Sequence, residues 1–566
     1  MAKSSSYSSI FDACVNLSKM CIGAGILALP YATVEGGLLT SGLLMLCVAL
    51  LNGFSCCMLL RSKKVLSEYS DEHNVPPASI SSMYAKLAYA SCGWTGVYVV
   101  DTSIILTLLG VCVTYTITFS QLLGEILRIS FNGRMVLFSI IVYPICCLKN
   151  VSRLASFSFV GIFFLLFSAI TIIFYGYYSY GFPSELTVPL GKGVPLCAKS
   201  LSSLMGYVGV ATFCIDLVTP IFPIEESLKK KSDIYSSLII SLFFISVTYI
   251  LFADVTALIF YNNNGSVLKP NILLNLPTLG YTGVIVRTSM AIVCILTYPL
   301  TLMLSAQMIE KVLAHHFPSC VEEEDKKPYI SISDQISPIE KNSYQSIVMD
   351  GKSSIVSKND DNVGIELDYG EHEHKDHLEC TGKISMREYV SYIDVNDDNN
   401  ESTFRYTMSG FHSSPGRSFQ VGISTSSKQY DSSYHVDEDE DEIPNSLRPN
   451  LATRCLNRLV LVGFTLFIAM TVPCFALVIS FLGCCTVSIL TYIMPPYIHS
   501  KIVTRNLLKK NPDVVNLPLF ENDLINPKVQ SILDTSYCCF GIVFCVVSTV
   551  LTGLSLYETL VEGGTC

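Results

Sequence analysis

Long stretches without any charged residue most constrain how this chain can fold. Asp, Glu, Lys and Arg are all absent from residues 36–60, 102–124, 154–184, 459–500 and 535–557. A helix needs about 20 apolar residues to cross a bilayer, so the fourth stretch is long enough for two crossings. Only 15% of the 566 residues are charged, and the mean hydropathy is +0.47. The sequence therefore predicts an all-α polytopic membrane protein, and it excludes a soluble enzyme.

Apolar segments of spanning length recur along the chain, and we number them as spans 1 to 11. Their approximate limits are 9–32, 37–60, 95–125, 133–149, 154–180, 200–223, 234–260, 282–311, 456–480, 483–504 and 532–557. We therefore predict eleven transmembrane helices.

The acidic charge is concentrated in one segment between spans 8 and 9. Residues 321–450 hold 27 of the 47 acids and 12 of the 37 bases, a net charge of −15, whereas the remaining residues carry +5. A polar, acidic segment of this kind buries too little apolar surface to offset its ordering entropy. We predict three regions: spans 1–8 in residues 1–316, an acidic, disordered cytoplasmic loop in residues 317–450, and spans 9–11 in residues 451–566.

The Lys and Arg residues of the short loops predict the orientation. With a cytosolic N-terminus, fifteen lie on the cytosolic side and six on the other, as the positive-inside rule requires. An odd number of spans then puts the C-terminus on the extracellular or lumenal side, in a plasma or a vacuolar membrane. Asn264-Gly265-Ser266 is an N-glycosylation sequon in the outer loop between spans 7 and 8.

Spans 1 and 6 contain helix-breaking residues near their middle. Span 1 runs through Gly23-Ala24-Gly25 to Pro30, and span 6 runs through Asp216 to Pro220 and Pro223. Paired interrupted helices, five spans apart, are typical of transporters built from two inverted repeats of five helices, where the breaks hold the substrate. The alternative interpretation is a helix-packing face with ordinary proline kinks.

The segment from Gly23 to Ala32 resembles the first-helix signature of the amino acid/auxin permease family, a Gly-x-Gly-Ile/Val-Leu core before a proline-containing turn. Residues 144–153, 213–225 and 287–299 are similar to that family's fourth, sixth and eighth spans. The motif is most similar to the proton-coupled and vacuolar branches. The resemblance implies a LeuT-type 5+5 inverted repeat with broken helices 1 and 6. It also implies that a substrate amino acid contacts Gly23, Ala24, Gly25, Ile26, Thr212, Phe213 and Ile215.

Lys19 and Asp216 are the charged residues that bear on ion coupling. The resemblance implies Asn at the position of Lys19 in sodium-coupled members, and Lys with an acid at the position of Asp216 in the proton-coupled branch. Thr297 resembles a sodium-site hydroxyl in span 8. A lysine inside a span is costly and usually faces the interior with a partner. The alternatives are that Lys19 extends to the membrane interface and that Asp216 makes a static hydrogen bond.

The sequence therefore predicts a secondary active transporter of amino acids, coupled to H⁺ and independent of Na⁺. The rivals are a Na⁺-coupled symporter of neutral amino acids and an amino-acid sensor that signals through the acidic loop. We expect no cofactor, no metal and no nucleic acid; His372, His374 and His377 belong to a polar tract without cysteine partners. The acidic loop is either a binding site for cytoplasmic regulators or a tolerated insertion.

Overall fold

The computed structural model describes residues 9–69, 80, 82–124, 128–148, 158–181, 194–261, 268–277, 280–316, 451–504 and 527–561, together with short strands between 345 and 423. The chain divides into two compact units, one comprising Met1–Glu322 with Pro444–Cys566 and the other Glu323–Ile443. Asn264 and the three histidines at 372, 374 and 377 lie outside the described residues.

The first unit is built of helices. Its first half contains α1 Ile10–Cys21, a 3-10 helix Ala24–Leu27, α2 Leu29–Gly36, α3 Leu38–Tyr69, α4 Met83–Cys92, α5 Trp94–Leu122, α6 Phe131–Cys146 and α7 Ser158–Tyr180. Its second half contains α8 Leu201–Cys214, α9 Ile221–Ser227, α10 Asp233–Tyr261, a 3-10 helix Ile272–Asn275, α11 Tyr281–His316, α12 Leu451–Thr471, α13 Phe475–Leu482, α14 Met494–His499 and α15 Pro527–Val561. Turns of π-helix join and follow α13 and α14, over Gly483–Val487, Ile489–Ile493 and Ser500–Thr504.

In the described part of the second unit there are two small antiparallel sheets. One pairs β1 Gln345–Met349, β2 Lys352–Asn359 and β3 Asn362–Glu366 in that order, with Gln345 opposite Val356. The other pairs β4 Asp394–Val395, β5 Phe404–Arg405 and β6 Gly422–Ile423.

Eight of the described helical segments are long and apolar enough to cross a membrane. They are 38–67, 94–122, 163–180, 233–261, 281–310, 451–471, 475–503 and 529–561. Two shorter apolar helices, Phe131–Cys146 and Leu201–Cys214, lie in predicted spans 4 and 6. The polytopic, helical class is thereby confirmed, whereas the number eleven and the 5+5 repeat stay predictions.

The boundary between spans 9 and 10 differs from the predicted limits. Span 9 was expected to run to residue 480, but α12 ends at Thr471 and α13 begins at Phe475. Pro473 lies between them, and a proline lacks the N–H that would continue the helix and disfavours the helical conformation of the residue before it. The apolar side chains after residue 475 therefore belong to the next span.

Two large hydrophobic cores hold the described helices together, beside a minor cluster of Ile80, Ala85 and Val97. The smaller of these two cores draws its buried side chains from α5, α6, α11 and α12, and in it the ring of Phe138 packs tilted against Phe119 and edge-on against Tyr298. The larger one contains most of the buried side chains of α1, α2, α3, α8 and α10. Predicted spans 3, 4, 8 and 9 thus share the smaller core and also contribute side chains to the larger one, in which the two interrupted spans pack.

Candidate substrate site at the two helix breaks

Span 1 is interrupted where its glycines predict an interruption. Helix α1 ends at Cys21, Ile22 and Gly23 are extended, and a 3-10 turn precedes α2, which carries Pro30 in its first turn. Among the described residues, the backbone N–H groups of Gly23 and Gly25 make no hydrogen bond to the main chain. Glycine is unfavourable inside a helix and proline is tolerated only in the first turn, so this sequence ends one helix and starts another.

Span 6 is also interrupted, near the middle of its sequence. Helix α8 ends at Cys214, and residues 215–220 are non-helical before α9 begins at Ile221. The hydroxyl of Thr219 donates to Oδ2 of Asp216 at 3.1 Å. Oδ1 of Asp216 is buried and makes no hydrogen bond within the described part of the chain. The break therefore holds a carboxylate oxygen that is available to a ligand or a proton.

The two breaks are in direct contact. A Cβ placed on Gly25 would lie 2.7 Å from Sγ of Cys214 and 3.2 Å from the ring of Phe213. Only glycine permits this approach, because real Cβ atoms do not come so close to a neighbouring side chain. The thiol of Cys21 also lies 3.9 Å from the carbonyl oxygen of Asp216. Residues 21–25 and 213–216 thus form one site.

Tyr249 of α10 links the ends of both interrupted helices. Its buried hydroxyl donates to the carbonyl of Cys21 at 2.7 Å, and the carbonyl of Cys214 lies 3.4 Å from the same oxygen. These carbonyls belong to the last residues of α1 and α8, and the last four carbonyls of a helix have no partner within it. Tyr249 was not among the predicted residues. The one sequence feature that could have indicated its role is the position of a tyrosine in the middle of an apolar span.

Span 10 closes one side of the site. The hydroxyl of Thr212 lies 3.1 Å from that of Tyr492, which also packs edge-on against the rings of Tyr537 and Phe544. Helix α8 and the π-helical turn after α13 approach closely, since a Cβ on Gly209 would lie 2.6 Å from Sγ of Cys484. Thr212 was predicted as a substrate contact, whereas Tyr492 was not.

The remaining predicted residues occupy different places. Ile26 and Ile215 are buried at the two breaks, and Ala24 belongs to the 3-10 turn. Lys19 is half-buried in the last turn of α1, where a cation interacts favourably with the negative end of the helix. The hydroxyl of Thr297 donates to the carbonyl of Val293 in its own helix, and it faces Gly161 of α7. The contacts at the breaks thus do not include Thr297.

The described residues contain no group of three His, Cys, Asp or Glu side chains placed to hold a metal ion. Within the described residues, the site offers instead two backbone amides of span 1 without main-chain hydrogen bonds, the ends of two interrupted helices and one buried carboxylate oxygen. These are the groups that transporters with interrupted helices direct at a substrate and its coupling ion.

Comparison with known proteins identifies the class. The family model described as "Transmembrane amino acid transporter protein" matches residues 6–552. The chain therefore belongs to the transmembrane amino acid transporter family, and the expected membership of the amino acid/auxin permeases is confirmed. It is a membrane transporter and not an enzyme.

Individual relatives are more distant. The chain is 25% identical over 335 residues to amino acid transporter AVT3C of Arabidopsis thaliana, covering 55% of this chain and 72% of that protein. It is 25% identical over 306 residues to vacuolar amino acid transporter 3 of Schizosaccharomyces pombe, covering 52% of this chain and 42% of that one. Among solved structures, a manganese transporter of Eremococcus coleocola aligns over 98% of this chain and 88% of its own, with 10% identity and a TM-score of 0.41.

Proposed function

We propose that this protein is a secondary active transporter that moves an amino acid across a membrane together with a proton, without Na⁺. The observation that carries the proposal is the contact between the two helix breaks at Gly25 and Cys214, beside the buried carboxylate of Asp216. Unwound backbone inside a membrane is tolerated where it is buried in protein or lines a cavity. Two such segments in contact within an amino acid transporter make this the substrate site.

The substrate carboxylate is held by backbone amides of span 1. The N–H groups of Gly23 and Gly25 make no main-chain hydrogen bond among the described residues, and they precede the positive N-terminal end of α2. Such a helix start attracts an anion. The carbonyl groups at the C-terminal ends of α1 and α8 attract the other charged group of the substrate, its ammonium. Phe213 lies between the breaks and covers the bound amino acid.

Proton coupling rests on Asp216 and Lys19. Oδ1 of Asp216 is buried and makes no hydrogen bond within the described part of the chain, and a proton bound there would remove a buried charge. Lys19 lies two residues before the end of α1 and repels a sodium ion from that position. The hydroxyl of Thr297 is engaged with Val293 and is not aimed at the breaks. These contacts favour a proton over sodium.

The architecture we propose is the predicted one, with eleven spans, a 5+5 inverted repeat, a cytosolic N-terminus and an extracellular or lumenal C-terminus. The interrupted spans 1 and 6 are equivalent in such a repeat, and alternating access moves their core against the core of spans 3, 4, 8 and 9. The relative named as a vacuolar transporter supports a vacuolar membrane for this chain. The residues between the two membrane regions bind cytoplasmic regulators or are dispensable for transport.

Uptake of a panel of radiolabelled amino acids tests the proposal. Uptake is measured at two external pH values, with external Na⁺ present or replaced by choline. We expect uptake to depend on the pH difference and to be unchanged in choline. Loss of uptake in choline would establish the sodium-coupled rival instead.

A further inference from the structure

A buried polar cluster lies away from the substrate site, where α14 and α15 pack together. Nδ1 of His499 is 2.8 Å from Oδ2 of Asp534, and neither side chain is exposed to solvent. Nε2 of Gln530 donates to Oδ1 of the same aspartate at 2.9 Å. Charged and polar groups are expensive to bury in a membrane protein and usually have a function.

The donor and acceptor roles of the two nitrogens of His499 depend on its tautomer, which follows from the charge of Asp534. The guanidinium of Arg61 in α3 interacts electrostatically with the carboxylate of Asp534. An ionised Asp534 can only accept hydrogen bonds, so Nδ1 of His499 carries the proton between them. Nε2 is then a lone-pair acceptor. It is buried and has no hydrogen-bond partner among the described residues.

Other titratable groups on the elements packed against α14 make contacts of their own. Tyr84 of α4 donates to the carbonyl of Leu490, and Tyr537 of α15 donates to that of Leu51. Lys501, in the π-helical turn that follows α14, lies over the ring of Tyr497 at 5.4 Å. Lys86 lies on α4 and is half-buried.

A histidine that donates from one nitrogen to a carboxylate presents the other nitrogen as a base. The carboxylate fixes the tautomer and the ring orientation, and it stabilises the imidazolium once a proton arrives. A buried acceptor without a partner is costly, and this cost is removed when a proton or a water binds there. His499 therefore combines an unsatisfied base with a counter-anion that is already in place.

We propose that His499 is a second proton-binding site, which takes up a proton at Nε2 with Asp534 as its counter-ion. The proton comes from a hydronium ion of the solvent: one O–H bond of hydronium breaks as the N–H bond forms, and a neutral water molecule is left. The inference rests on the proposed proton coupling. By the predicted orientation, His499, Asp534 and Arg61 all lie toward the cytosolic ends of their spans. The cluster thus serves the cytosolic half of the proton route, and Asp216 serves the substrate site.

The test uses the purified full chain in proteoliposomes and compares two fluxes. Counterflow exchanges labelled for unlabelled amino acid at equal pH, and gradient-driven accumulation requires a proton. His499→Asn keeps an amide N–H close to the position of Nδ1 and removes the base. We expect the ratio of gradient-driven accumulation to counterflow to fall in this variant to the value measured without a gradient. A ratio equal to that of the wild type would overturn the proposal.

Two further variants keep the outcome interpretable. Thr465→Val removes a buried hydrogen bond of 2.8 Å to Tyr298 without removing a titratable group, and we expect it to keep the wild-type ratio. Asp534→Asn removes the counter-ion, so acid stimulation should require a lower pH at the cytosolic face. An unchanged pH profile in Asp534→Asn overturns the proposal even if His499→Asn does not fold. If the wild type itself shows no gradient stimulation, the proposed function fails and not only this assignment.

Discussion

The hydroxyl of Tyr249 reaches two carbonyls that are far apart in the sequence, those of Cys21 and Cys214. At the scale of single residues, some members of the candidate site can be predicted from the sequence and others cannot. Gly25 and Asp216 are conspicuous because two closely spaced glycines weaken a helix and an acid is rare inside a span. Tyr249 is not, because its role depends on a contact between positions 228 residues apart.

Replacing Tyr249 by Phe should destabilise the protein and reduce transport. The substitution leaves the carbonyl of Cys21 buried without its partner, at a cost of about 1–3 kcal/mol. Thermal unfolding in detergent and uptake by proteoliposomes are the measurements. Tyr143→Phe is the matched control, since it removes a longer 3.3 Å hydrogen bond to the carbonyl of Cys455 in the other core. Equal effects of the two variants would contradict the role of Tyr249.

Replacing Gly25 by Ala should abolish most uptake while leaving the fold intact. The new methyl group would lie 2.7 Å from Sγ of Cys214, and overpacking of this kind costs about 1–3 kcal/mol. Gly553→Ala is the control, because no atom lies within 4 Å of a Cβ there. Adding Cys214→Ala to Gly25→Ala removes the sulfur and should restore part of the uptake. Full activity in Gly25→Ala alone would show that the breaks need not meet.

At the scale of elements, the helical class and the two interruptions were predictable because apolar runs, glycine and proline act locally. The end of α12 at Thr471 was missed, since apolar side chains continue past the Pro473 break. Helix α4, Met83–Cys92, was also missed: its ten residues are too few to span a bilayer. The separation into two cores could not be predicted, because it depends on which helices pack together.

The core of α5, α6, α11 and α12 contains a buried ion pair. Nε of Arg458 lies 3.2 Å from Oε1 of Glu310, and its guanidinium also donates to the carbonyl of Leu148 at 2.8 Å. The side chains of Arg458 and Glu310 are 1% and 3% exposed. This pair joins the end of span 4 to spans 8 and 9.

Glu310→Gln should lower the thermal stability strongly. Removing one partner of a buried ion pair leaves an uncompensated charge and costs about 3–5 kcal/mol. The control is Lys199→Gln, which removes an ion pair of 2.7 Å to Glu35. That pair is exposed, so its loss costs only about 0–1 kcal/mol. Unfolding temperatures of the two variants give the comparison, and a smaller shift for Glu310→Gln would contradict the account.

At the scale of the whole molecule, the chain combines a membrane unit with a second unit, Glu323–Ile443. The net charges of −15 and +5, for residues 321–450 and for the rest, already separated these regions. The short strands within the second unit were not predicted, because its polar composition shows no clear strand periodicity. All residues of the proposed substrate site lie in the first unit.

Deletion of residues 325–445 should therefore leave transport undiminished. The reason is that the breaks, Asp216 and the contacts around them all lie outside the deleted segment. Proton-driven flux of the shortened chain in proteoliposomes is compared with that of the full chain, after equal reconstitution. A loss of the flux, with binding of the amino acid retained, would instead support a sensor that requires this segment.

In the proposed mechanism a proton crosses the membrane with the amino acid, and Asp216 carries it. The most direct measurement is proton entry into proteoliposomes, followed with an enclosed pH indicator when an amino acid is added in the absence of Na⁺. The account predicts substrate-dependent acidification with the wild type and none with Asp216→Asn, which cannot release a proton. Substrate-dependent acidification by Asp216→Asn at the wild-type rate would contradict it.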